Sequence, residues 1–266
     1  MTSATMTGQQ RTALAGLARW GLASRGVIYL LMGALAGALA AGTSSKETDQ
    51  RGALEALTAH TGGAVLLGLL AGGFAGYALW RFSEAALGVR ADPGVFPRIK
   101  SAFRGVAYAG LTVTTVLILA GSQHSGSQAQ QQQSLTARAM RHTGGRVLVT
   151  LVGLIIVAAG VGMAAEGITK SFEKHLRMSQ MSPGTRRIVV ALGVAGSVTR
   201  GVVVALAGAL VADAAVTFDP AKARGLDAAL RTLANQPYGQ VLLALAALGL
   251  AVFGVFGLAE ARWQKT

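Results

Sequence analysis

Six stretches of the chain run apolar for about twenty residues each, at 26–42, 63–83, 105–121, 145–165, 188–215 and 239–259, with polar segments between them. A helix needs roughly 20 mostly apolar residues to cross a bilayer. The pattern predicts an all-α polytopic membrane protein with six transmembrane helices. The fifth run is interrupted by charge at Arg200 and Asp213, and the others are essentially uncharged, with a single arginine near an end of the second (Arg81) and of the fourth (Arg146).

The six runs pair into three copies of one unit. Arg25-Gly26, Arg104-Gly105 and Arg200-Gly201 each open an apolar stretch. A polar segment follows, then "TGGAVLL" (61–67), "TGGRVLV" (143–149) or "PYGQVLL" (237–243). From Gly63, Gly145 and Gly239, a glutamate comes 21 residues later every time: Glu84, Glu166 and Glu260. Twenty-one helical residues rise about 31 Å, close to the hydrocarbon thickness. Each glutamate is therefore expected on the membrane face opposite its glycine, level with the arginines. The organisation read from this is a tail at 1–18 and repeats at 19–90, 98–170 and 186–266, in a pseudo-threefold arrangement.

Charge gives the orientation. The chain carries a net charge of +13, and 16 of its 24 lysines and arginines fall on the face that holds the termini and the segments 85–104 and 167–200. The positive-inside bias predicts both termini in the cytoplasm. Topology accounts for the basic charge, so nucleic acid is not an expected partner.

Arg25, Glu84, Arg104, Glu166, Arg200 and Glu260 are the candidate site residues, expected to form structural charge pairs pinning the helix ends. A charged gate is the competing reading, since ionisable groups at membrane depth mark function by default. The Gly68/Gly72/Gly76 stripe predicts close helix packing. His60 and His142 read as solvated helix-start residues, and Asp213 as a near-surface acid. The segment 123–134 reads as a polar, low-complexity loop. In 167–178, Ile168, Phe172 and Leu176 share a face opposite Lys170, Lys174 and Arg177, which predicts an interfacial amphipathic helix on anionic phospholipids.

The stretch "DPAKARGLDAALRTLANQPYGQVLLALAALGLAVFGVFGLAEARW" (219–263) closely resembles the end of a bacterial membrane family catalogued as domain-of-unknown-function 1206. That resemblance implies three tandem two-helix repeats over nearly the whole chain and brings no activity with it. In the first two units "HTGG" stands where the family has a Pro-aromatic-Gly.

With no cysteine, thiol chemistry and disulfides are excluded. No catalytic motif, nucleotide loop or cofactor signature is present. The expectation is a non-enzymatic structural or accessory protein, without cofactor, that contacts anionic phospholipids and another membrane complex. The alternative is a small-solute or ion transporter, although inverted repeats and broken helices are missing.

Overall fold

In the computed structural model, residues 8–43, 46–88, 94–121, 128–142 and 144–264 are described. They form nine α-helices: α1 (Gly8–Ala40), α2 (Gln50–Thr58), α3 (Gly63–Leu87), α4 (Val95–Leu119), α5 (Gln128–Met140), α6 (Gly145–Ile168), α7 (Pro183–Thr217), α8 (Gly225–Ala234) and α9 (Gly239–Trp263). Among the described residues the only β pairing is an isolated bridge, Leu176 to Gln264. Six helices (α1, α3, α4, α6, α7 and α9) are long and apolar enough to cross a membrane. Their outward faces are apolar, with Val147, Leu148, Leu151, Leu154, Ile155 and Val161 exposed along α6 alone. A surface of that kind is stable in lipid rather than in water. The chain is a multi-pass membrane protein.

Two helices are longer than the apolar runs suggest. α1 has 33 residues and α7 has 35, which is about 50 Å each and well beyond a ~30 Å hydrocarbon layer. Arg25 and Arg200 therefore stand in the middle of continuous helices rather than at their mouths. The uncharged segment before Arg200 is a straight continuation of α7, started by Pro183 and by the Ser182 side chain accepting from Thr185 N–H.

Each hairpin turns through a short helix that the apolar pattern does not announce: α2, α5 or α8. The repeated glycine follows it because no side chain fits. A Cβ on Gly63, Gly145 or Gly239 would lie 1.8 Å from Leu57 O, 1.7 Å from Ala139 O or 2.0 Å from Ala234 O. The residue before it is left-handed in every copy: Gly62 (φ 83°), Gly144 (φ 81°) and Tyr238 (φ 60°). The "HTGG" and "PYG" variants thus build the same turn. Part of the expected 123–134 loop is helical, from Gln128 onward; 122–127 lies outside the described residues, as do 1–7 of the predicted tail.

The repeats are joined mainly across their boundaries. The most extensive contacts are α6 with α7, α9 with α1, and α3 with α4. In every case the glycine of an Arg-Gly pair lies against the second helix of the preceding unit. A Cβ on Gly26 would meet Gly254 O at 2.7 Å, one on Gly201 would meet Gly160 O at 2.6 Å, and one on Gly105 would meet the Phe82 ring at 2.8 Å. The last hairpin thereby packs on the first, giving the pseudo-threefold ring. Within repeats, α1 packs on α3 and α7 on α9, whereas α4 and α6 make almost no contact. The ring has one open seam. In the predicted glycine stripe, Gly72 and Gly76 receive Trp20 and Leu17, and Gly68 faces nothing.

On the face carrying the chain ends, here the terminal face, the expected amphipathic helix at 167–178 is absent. Ile168 ends α6, and 3₁₀ turns at Ser171–His175 and Met178–Gln180 follow. Phe172 stacks edge-on against Phe256 at 5.1 Å, Leu176 is buried, and Arg177 N–H donates to Trp263 O. Phe172 and Leu176 are thus used by the bundle, and only Ile168 at the end of α6 stays exposed.

Candidate functional site

The repeated charges converge on one cavity of about 310 Å³ at the terminal face. Arg25 of α1, Arg81 of α3, Lys100 and Arg104 of α4, and Arg200 of α7 line it, as do Glu84, Glu166 and Glu260. Five cations thus face three carboxylates, and the volume falls within the usual range of ligand pockets.

The structure differs from an expectation of three equivalent pairs. Arg25 donates to Glu260, joining the first repeat to the third, and both side chains are mostly buried, at 11% and 18% exposure. The symmetric counterparts would be Arg104 with Glu84 and Arg200 with Glu166. Instead Glu84 accepts from Arg81 at 2.7 Å and from Ser101 at 3.1 Å. Glu166 accepts from Lys100 at 3.0 Å across the open seam, with both groups about half exposed. Arg81 lies three residues before Glu84, one turn away on the same helix, and Lys100 lies one turn before Arg104. These two local cations have taken the carboxylates. Among the described residues, Arg104 and Arg200 have no carboxylate partner.

Aromatic rings hold Arg200 instead, and rings also cover Arg25 and Arg81 beside their carboxylates. Arg200 lies over Tyr29 (5.2 Å) and Phe253 (4.8 Å), Arg25 over Phe253 (5.5 Å), and Arg81 over Tyr77 (4.9 Å) and Trp80 (4.2 Å). The face of an aromatic ring attracts a cation without neutralising it. The Nε atoms of Arg25, Arg81 and Arg200 are buried without a hydrogen-bond acceptor. Above the cavity these rings pack on one another: Tyr29 on Phe253 at 4.8 Å, Tyr77 on Tyr108 at 4.4 Å and Phe74 on Tyr108 at 6.0 Å. They form an aromatic plug between the cavity and the distal face.

Arg81, Lys100 and the aromatic set are missed by the repeat argument because they do not recur in all three units. One signal was available: tyrosine follows arginine by four residues in "RGVIY" and "RGVAY", at Tyr29 and Tyr108.

The remaining candidates lie at the distal face. Asp213 is half exposed and accepts from Lys222 at 2.6 Å. His60 and His142 are exposed, and no group of three or more potential metal ligands occurs among the described residues. Asp227 is fully buried, accepting from Thr48 N–H at 3.1 Å and Arg231 Nε at 2.8 Å. Nearby Asp49 caps α2 by accepting from Gly52 N–H. Burial pushes its carboxyl up from 3.8 to about 6, against that bond and with help from Glu47 and Asp227.

The family described as Domain of Unknown Function (DUF1206) matches three times, over residues 20–88, 99–170 and 195–264. The chain belongs to this family. It is also 27% identical over 250 residues to an uncharacterized protein of Bacillus subtilis (strain 168), YxxB, with 92% of this chain and 90% of that protein covered. No solved structure matches.

Proposed function

We propose that this member of the DUF1206 family is a non-enzymatic structural or accessory protein of the cell membrane, with both termini in the cytoplasm. The observation that carries the reading is the aromatic plug. Tyr29 packs on Phe253 and Tyr77 on Tyr108 on the distal side of the charged cavity, so rings rather than charged groups stand one turn beyond Arg25 and Arg104. A transport path needs polar groups at midplane to replace a solute's hydration. The hydroxyls there bond back to their own helices: Thr112 to Tyr108 O, Thr114 to Gly110 O and Thr115 to Leu111 O.

The excess of basic residues at the terminal face supports its cytoplasmic placement. Exposed Lys170, Arg186 and Arg187 suit anionic phospholipid headgroups there. The transporter reading keeps one observation in its favour, the excess of cations in the cavity. Purified protein in liposomes, assayed for flux of protons, potassium and amino acids, decides between them. The accessory reading expects the background of empty liposomes. A reproducible flux abolished by Arg200→Gln would replace it with transport.

A further inference from the structure

Two arginines in a cavity without counter-ions are an unusual arrangement at membrane depth, where ionised groups are costly unless paired. Arg104 and Arg200 both line the terminal cavity, and Arg104 also feels the charges of Arg81, Arg25 and Arg200. The repeat symmetry offers each a carboxylate, and Arg81 and Lys100 have taken those carboxylates. What remains is an excess of two positive charges, with the hydroxyl of Ser197 beside them. The cavity is reached at the open seam, where Pro97, Lys100 and Ser101 of α4 face Met163 and Glu166 of α6. Among the described residues, the half-exposed pair of Lys100 and Glu166 is the one ion pair that spans the two helices there.

We propose that this cavity is a binding site for a phosphate-type oxyanion, held by Arg104 and Arg200. A guanidinium offers a planar fork of donors that matches phosphate oxygens; a phosphate monoester carries close to two negative charges at neutral pH and a phosphodiester headgroup one. The ligand is either a phospholipid headgroup entering through the α4–α6 seam or a phosphate ester arriving from the aqueous side. The site rests on the reading of the bundle as closed on its distal side, and it fails independently of that reading.

The test uses the full chain in neutral detergent. Binding is followed by thermal shift and native mass spectrometry with phosphatidylglycerol, phosphatidylcholine, inorganic phosphate, and acetate at matched ionic strength. The expected result is stabilisation by phosphatidylglycerol or by phosphate but not by acetate, weakened about tenfold or more in Arg104→Gln and in Arg200→Gln. Arg138→Gln, exposed on α5 at the opposite end of the bundle, should bind as the unaltered protein does. Stabilisation by phosphatidylglycerol alone assigns the lipid source, and stabilisation by phosphate alone the soluble one. The Arg104→Lys variant, which keeps the charge and loses the fork, should fold and bind more weakly. No stabilisation of the unaltered protein by either phosphate source overturns the proposal, as does binding that survives both glutamine variants. Absence of binding together with absence of flux removes the site and leaves the accessory reading standing; binding together with flux does the reverse.

Discussion

The bond between Arg25 and Glu260 should be the most stabilising of the charge pairs, and Glu260→Gln measures it. The pair connects the first hairpin to the last, and at 11% and 18% exposure it is shielded from water. Removing one partner of a buried pair typically costs about 3–5 kcal/mol, chiefly because the other charge is left uncompensated. Arg25 already has one Nε without an acceptor and shares its cavity with other guanidinium groups. Glutamine keeps a hydrogen-bonding oxygen, so the lower end, about 3 kcal/mol, is expected. Glu166→Gln provides the contrast. Its pair with Lys100 is half exposed, so the loss should be about 1 kcal/mol or less. Reversible unfolding in mixed micelles of increasing SDS fraction gives both values. The double variant Arg25→Met/Glu260→Met should recover much of the loss, since it removes both charges together. If Glu166→Gln costs as much as Glu260→Gln, or if the double variant is as unstable as Glu260→Gln alone, the account of this pair is wrong.

The absence of cysteine allows a topology test by single substitution. Thr43→Cys and Ser134→Cys should react with an impermeant maleimide on intact cells, and Ser179→Cys and Ser182→Cys only after lysis; the opposite pattern would invert the orientation. Glycines two residues apart on α6 should behave differently. Gly160→Ala places a Cβ 2.4 Å from Ala205 N and should lower stability by about 1–3 kcal/mol. Gly162→Ala meets nothing and should be neutral or stabilising by about 0.5–1 kcal/mol, read in the same unfolding assay. Asp49 should leave a mark on the pH dependence. Its carboxyl is raised in the folded state, from 3.8 to about 6, so its contribution is most favourable below pH 4 and is lost as pH rises through 6. Asp49→Asn should flatten that part of the curve by on the order of 2–3 kcal/mol; superimposable melting-temperature profiles between pH 4 and 7.5 would count against it.

The six spans, the triple repeat and the convergence of arginines and glutamates on one face are all legible in the sequence. Each rests on a property set by spacing along a single helix. Reading failed where one helix meets another. Glu84 turns to Arg81 three residues earlier on its own helix, a spacing that is readable but that the repeat argument passes over, whereas nothing in the chain points Glu166 to Lys100 on another helix. Repeat symmetry argued for equivalence, and these two non-repeated cations broke it. The segment 167–178 failed for a related reason. Its apolar period of four is the same whether Phe172 and Leu176 face lipid or face Phe256 and the chain's last turn, and periodicity carries no information about the partner. The distal helices α2 and α8 carry a short helical signal of their own: Leu54 and Leu57 in "RGALEAL" (51–57) stand three residues apart, and Leu226 and Leu230 in "RGLDAAL" (224–230) four.

Packing across repeat boundaries has a bearing on how the protein is made. A hairpin leaves the ribosome as a unit, yet the main neighbour of each first helix belongs to a different hairpin. For α4 and α7 that neighbour, α3 or α6, has already been synthesised. For α1 it is α9, the last helix in the chain, more than 200 residues downstream. Throughout synthesis, then, the groove along Gly26 and Gly33 waits in lipid, and Arg25 waits without Glu260. The final hairpin docks on both α7 and α1, so the bundle gains its cooperativity only at the end of translation. Truncation before Gly239 would release five membrane-spanning helices with this glycine-lined seam unfilled, a state recognisable to membrane quality control.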